Sequence, residues 1–146
     1  MRLAQFFKGG DSKRITDKKR IGGIGEKIAE EYLVSKGYKI HRRNVNVSHK
    51  ELDIISEDDT HNVFVEVKTL SVTKEDALLK SRRASDRIDY KKAKNLIYAS
   101  EYCNKSIANG KPPRIDVIEV YLADVPPSIV HIENAINKTN IFRHRR

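Results

Sequence analysis

The sequence predicts an α/β domain: a mixed sheet flanked by helices, in the order α-β-β-β-α-β-β. Three observations lead there. A stripe of apolar residues with helical period comes first, three short β-rich runs follow at hairpin spacing, and a second helical stretch separates the third run from a fourth. A helix joining two strands suggests that they run parallel, whereas short separators fit antiparallel hairpins, so the sheet is expected to be mixed.

In the first helix, expected over about 21–36, Ile21, Ile24, Ile28 and Tyr32 recur at three and four residues, and Ala29 and Leu33 widen the stripe. Gly37 stops it. Strands are expected over about 38–47, 51–56 and 62–69, separated by His49-Lys50 and by Glu57-Asp58-Asp59-Thr60. Residues 70–88 are polar and basic with little period and read as a loop containing a helical turn at 76–80. The second helix is expected over about 89–108, with Ala93, Leu96, Ile97, Ser100, Cys103 and Ile107 inward and Asn109-Gly110 as its stop. Pro112-Pro113 and Pro126-Pro127 then introduce strands over about 114–123 and 128–132. The chain thus divides into a flexible basic arm (1–20), one domain (21–136) and a basic C-terminal tail (137–146).

At 146 residues the chain is long enough for one conventional hydrophobic core. Cys103 is the only cysteine, which excludes internal disulfides and multi-cysteine zinc sites and fits a cytoplasmic protein. Leu3-Ala4 and Phe6-Phe7 are too short an apolar patch for a signal peptide or membrane span, so no membrane partner is expected. The formal charge is +9, and it is unevenly placed. Residues 1–20 carry +5, and so do residues 80–94, which include Arg82, Arg83, Arg87, Lys91, Lys92 and Lys94; most of the remainder is close to neutral. Such segments can track a phosphate backbone, although a solvated basic face accounts for them equally well.

Phe64-Val65-Glu66-Val67-Lys68 carries the candidate chemistry. A period of two puts Phe64, Glu66 and Lys68 on one face and Val63, Val65 and Val67 on the other. The preceding strand offers Glu51 and Asp53 at the same spacing, so a hairpin would bring carboxylates of both strands together. An acid two residues before a lysine occurs four times here against about two expected by chance, so the bare pattern is weak. A cross-strand ion pair on a half-exposed sheet is the simpler account of it in isolation. Glu26 lies within about 20° of Leu33 on the first helix, at the edge of the apolar stripe, where an ordinary first-turn glutamate is also expected. Were Glu26, Asp53 and Glu66 to meet, two carboxylates about 4 Å apart would repel by about 4 kcal/mol at an effective dielectric near 20. A proton or a cation would then be required, and oxygen ligands suit magnesium or manganese.

Taken in order, Gly22-Gly23-Ile24-Gly25-Glu26, Tyr32-Leu33, Gly37-Tyr38, Arg43-Asn44, Glu51-Leu52-Asp53-Ile54-Ile55, Phe64-Val65-Glu66-Val67-Lys68-Thr69, Arg114-Ile115-Asp116-Val117-Ile118 and Asn134-Ala135 resemble the YraN-like uncharacterised family. That family in turn resembles the PD-(D/E)xK nucleases, especially resolvases of branched DNA, which have a restriction-endonuclease-like fold. The resemblance implies that Asp53 and Glu66 hold Mg2+ (or Mn2+), that Lys68 is the catalytic lysine, and that Glu26 is the helix acid completing the site. Glu51 lies in a family block without a clear role. Lys91 is a candidate phosphate contact, and Arg114 with Asp116 reads most simply as a supporting ion pair. Lys50 replaces a usual glycine and can itself contact phosphate. The expected function is metal-dependent hydrolysis of phosphodiester bonds in DNA rather than RNA, in branched or structured substrates, by a homodimer. A non-catalytic nucleic-acid-binding module on the same fold is the alternative.

Overall fold

A computed structural model describes residues 14–80 and 88–144. Three helices, α1 (Arg14–Ser35), α2 (Lys74–Leu79) and α3 (Tyr90–Asn104), accompany five strands, β1 (Lys39–Val47), β2 (Lys50–Glu57), β3 (Asn62–Leu70), β4 (Pro113–Tyr121) and β5 (Ser128–Ile136). The strands form one sheet in chain order. The β3–β4 pair is parallel and every other neighbouring pair antiparallel, which is the mixed sheet expected from the helical crossover.

Alternation along the strands builds two cores. Phe64, Ile115 and Val117 face Ala93, Leu96, Ala99 and Cys103 of α3. Val63, Val65, Val67, Ile118 and Val120 face Ala29 and Leu33 of α1 on the opposite side. Cys103 is buried in the α3-side core as a small apolar side chain. Asp89 caps α3, its carboxylate accepting the Lys92 amide at 2.8 Å. Thr73 does the same for α2, which occupies part of the segment read as a loop.

The helix α1 starts at Arg14, well before the expected Ile21, so residues 14–20 of the expected arm are helical and Gly22, Gly23 and Gly25 lie inside the helix. Packing explains the tolerance at Gly25, because a Cβ there would collide with the Thr69 side chain of β3. The missing side chain lets helix and strand approach closely. At the far end Gly37 adopts φ 89°, its amide bonding Val34 O while Tyr38 bonds Leu33 O, which closes the helix in a Schellman motif. The last strand runs to Ile136, four residues past expectation. Beyond it, Ile141–His144 form a 3-10 turn whose Phe142 stacks on Tyr90 at 6.3 Å, so part of the segment read as a tail rests on α3. Residues 1–13 of the expected arm, together with Arg82, Arg83 and Arg87, fall outside the described residues.

Candidate active site

Strands β2 and β3 pair from Glu57↔Asn62 to Ile54↔Val65. Their ladder stops there, immediately before Asp53 and Glu66. The Val67 amide then donates to Asp53 Oδ2 at 2.8 Å, so a side chain takes the place of a strand carbonyl and ties the two strands at their fork. Glu66 is 4% exposed. Its Oε1 lies 3.1 Å from Lys68 Nζ and 3.5 Å from Lys92 Nζ, while its Oε2 is buried without a hydrogen-bond partner.

The electrostatics reflect this crowding. Burial, the facing Glu66 carboxylate and more distant Glu26 push the Asp53 carboxyl up to about 8, against the lowering effect of the Val67 amide. Glu26 is also raised, by burial first and by Glu51 and Glu66, with Arg43 opposing. Arg43 of β1 reaches Glu26 Oε2 at 3.6 Å and Glu30 Oε2 at 3.0 Å, and so fastens α1 to the hairpin.

Glu26, Asp53, Glu66 and Lys68 therefore share one electrostatic neighbourhood, but not equally. Among the described residues no group of three or more His, Cys, Asp or Glu is gathered to hold a metal ion, and Glu26 has its own partner in Arg43. The pair itself fits a hard cation. Both donors are carboxylate oxygens, one is buried and unpartnered, and their mutual repulsion disfavours full ionisation without a positive partner.

Two cavities flank the pair. One of about 590 Å3 lies between α1, the end of β3 and α2, with Gly22, Glu26, Val67, Thr69 and two lysines, Lys18 and Lys80, on its wall. The other, about 270 Å3, lies between the β1–β2 turn and α3, where His49, Lys50, Glu51, Lys92 and Asn95 line it. Glu51 is exposed at the second. Of the lysines read as phosphate contacts, Lys92 is turned onto Glu66, Lys50 sits over the Tyr98 ring at 4.2 Å, Lys94 lies 5.9 Å from the Tyr90 ring centre, and Lys91 is exposed.

Arg114 and Asp116 belong elsewhere. Arg114 binds both oxygens of fully buried Asp116 at 2.8 Å and reaches Asp58 at 2.8 Å, and His131 Nε2 lies 2.7 Å from the same Asp116 carboxylate. This network supports β4 and β5 beneath the C-terminal half of α1, as the ion-pair reading expected. Sequence reasoning did not assign the Arg43 and Lys92 contacts to the site. The hairpin register, which sets Arg43 opposite Ile54, would have pointed to Arg43. Lys92 is legible in the sequence only as one of the basic residues of 80–94, and nothing local directs it to Glu66.

A profile of the uncharacterised protein family UPF0102 matches residues 25–120, a span that includes all four candidate residues from Glu26 to Lys68. The chain belongs to that family. It is 41% identical over 118 residues to a UPF0102 protein of Clostridioides difficile, covering 80% of this chain and 96% of the relative. UPF0102 proteins of Caldanaerobacter subterraneus and Dehalococcoides mccartyi are 34% and 33% identical, covering 83% and 84% of this chain and 95% and 97% of theirs. The YraN-like assignment made from the ordered motif blocks is this same family, and its relatives align over nearly their whole length. No described helix is long and apolar enough to cross a membrane.

Proposed function

We propose that the protein is a metal-dependent nuclease that hydrolyses phosphodiester bonds in DNA, with branched or structured DNA as the substrate class. One observation carries this reading: Asp53 and Glu66 converge at the β2–β3 fork, where Glu66 Oε1 meets two lysines and its buried Oε2 has no hydrogen-bond partner. Asp53 and Glu66 would hold Mg2+ or Mn2+. Such an ion, when bound, polarises the phosphoryl oxygen and offsets the charge that develops on it. Lys68, fixed against Glu66, orients the attacking water and neutralises the phosphate as its charge rises. A water oxygen bonds to phosphorus, the bond to the 3′ oxygen breaks, that oxygen takes up a proton, and a 5′-phosphate end results. Glu26, paired with Arg43, acts as a positioning acid on the wall of the larger cavity.

A second reading, a nucleic-acid-binding module without turnover, is favoured by the Arg43 that already pairs with Glu26 and by the two lysines already meeting Glu66. Cleavage of single-stranded, duplex, flap and four-way DNA and of RNA, with magnesium or manganese, separates the two. The nuclease reading expects cutting by the native protein that Glu66→Ala and Lys68→Ala abolish while binding persists. Binding that falls steeply with salt but leaves every substrate intact would establish the module instead.

A further inference from the structure

Helix α3 carries more than its buried stripe. Tyr98 and Tyr102, one turn apart, are 49% and 60% exposed, and their rings stack with centroids 6.4 Å apart and planes 21° from parallel. Lys50, from the β1–β2 turn, stands over Tyr98. One turn further towards the helix start on the same face is Lys94, itself near the Tyr90 ring. The turn that delivers Lys50 has Ser48 and His49 at φ 47° and 67°, a left-handed pair that L side chains seldom adopt, so the hairpin holds a costly conformation where it meets the helix.

The patch is continuous with the candidate active site. Lys92, which contacts Glu66, lines the smaller cavity with Lys50, and Lys50 leads on to Tyr98. Along the helix, Lys92 and Tyr98 are about 9 Å apart. At 3.4 Å per nucleotide of a stacked strand, that is roughly two or three nucleotides.

We propose that Tyr98 and Tyr102, flanked by Lys50 and Lys94, are a stacking platform for unpaired bases of a nucleic-acid strand whose phosphodiester lies at Glu66. Aromatic rings accept any base, and Lys50, which stands over Tyr98 here, moves off the ring to meet a phosphate when a base stacks there. The basic charge of the chain favours a polyanionic occupant over an apolar protein surface, and the exposed stacked rings favour one that carries bases over an acidic protein surface. Duplex bases are already stacked on one another, so the platform selects single-stranded or splayed segments. The proposal rests on the nucleic-acid reading above and narrows its substrate class.

The test measures binding in EDTA, so that nothing is cut, of a fluorescent single-stranded oligonucleotide and a blunt duplex of equal length. Native protein is compared with Tyr98→Ala/Tyr102→Ala and Tyr98→Phe/Tyr102→Phe. Both rings are largely exposed, and thermal melting verifies that each variant folds. The expected result is that the alanine pair weakens single-strand binding about tenfold or more, leaves duplex binding within about twofold, and that the phenylalanine pair retains native affinity. Equal loss on both ligands, or no loss on either, overturns the platform while leaving nucleic-acid binding standing. Native protein that binds neither ligand removes the parent reading and the platform with it. A native dimer that the alanine pair converts to monomer in sedimentation, with single-strand affinity unchanged, assigns the face to a second copy of the chain and overturns the proposal.

Discussion

The Asp53 carboxylate accepts the Val67 amide at 2.8 Å across the end of a ladder that stops at Ile54↔Val65. That bond holds an acid at a strand fork against Glu66 and away from bulk water, a cost tolerated where a positive group can complete the site.

Stability should therefore vary with pH in a defined direction. The Asp53 carboxyl titrates near 8 in the folded chain and about 3.9 when unfolded. Between those values the folded state binds the additional proton, so this group removes stability as pH rises through the window. In EDTA, Asp53→Asn should melt several degrees higher than native protein at pH 8 and much closer to it at pH 5. An identical gap at both values would remove the facing-carboxylate account. Adding magnesium or manganese at pH 8 should raise the native melting temperature and leave that of Asp53→Asn nearly still.

The lysine at the site should act in the reaction and not in the fold. Lys68 is partly exposed, and its contact is with Glu66. Lys68→Ala should lower the cleavage rate by about 100-fold or more while oligonucleotide affinity and melting temperature change little. A parallel loss of affinity and rate would make Lys68 a binding group only.

Three glycines of one helix should respond in opposite ways. Gly22→Ala and Gly23→Ala place a methyl in open space within α1 and should stabilise by about 0.5–1 kcal/mol. Gly25→Ala drives a Cβ into Thr69 and should destabilise by about 1–3 kcal/mol, with part of the loss recovered by adding Thr69→Ala. Urea denaturation of the four variants against native protein measures each difference, and a neutral Gly25→Ala would mean that α1 sits further from β3.

The buried network on β4 should be the fold's acid-sensitive point. Burial acts to raise Asp58, but the Thr60 and His61 amides and the Arg114 guanidinium hold it at about 2. Asp116 is likewise held below its ordinary value, where Arg114, His131 and the Asn134 amide outweigh burial. These carboxylates contribute stability above about pH 4, and it is lost as pH falls towards 2. Arg114→Met strands the Asp116 charge and should cost about 3–5 kcal/mol in denaturant titration at pH 7. A loss below 1 kcal/mol would show that His131 alone suffices to hold Asp116.

Periodicity alone made much of this architecture legible. The mixed sheet, the crossover between the third and fourth strands and the Val63, Val65 and Val67 face were all readable, because each is a local pattern or a fixed offset along one element. Boundaries were less so. A helix with three glycines along its length gives little local sign of beginning at Arg14, and only the packing of Gly25 against Thr69 shows why a glycine is kept at that position.

Composition and spacing by themselves determined the α/β class, while the resemblance of the ordered motif blocks gave the family and, as its implication, which four side chains to watch. Tertiary structure decided their ranks: Asp53 and Glu66 pair at the fork, Lys68 and Lys92 share one oxygen of Glu66, and Arg43 restrains Glu26. It also set two tyrosines of α3 beside a lysine from a distant turn. The physical reason is range. Strand and helix periods are properties of neighbours in the chain, whereas the meeting of Lys50 with Tyr98, or of Lys92 with Glu66, depends on how separate elements cross, and no local spacing encodes that.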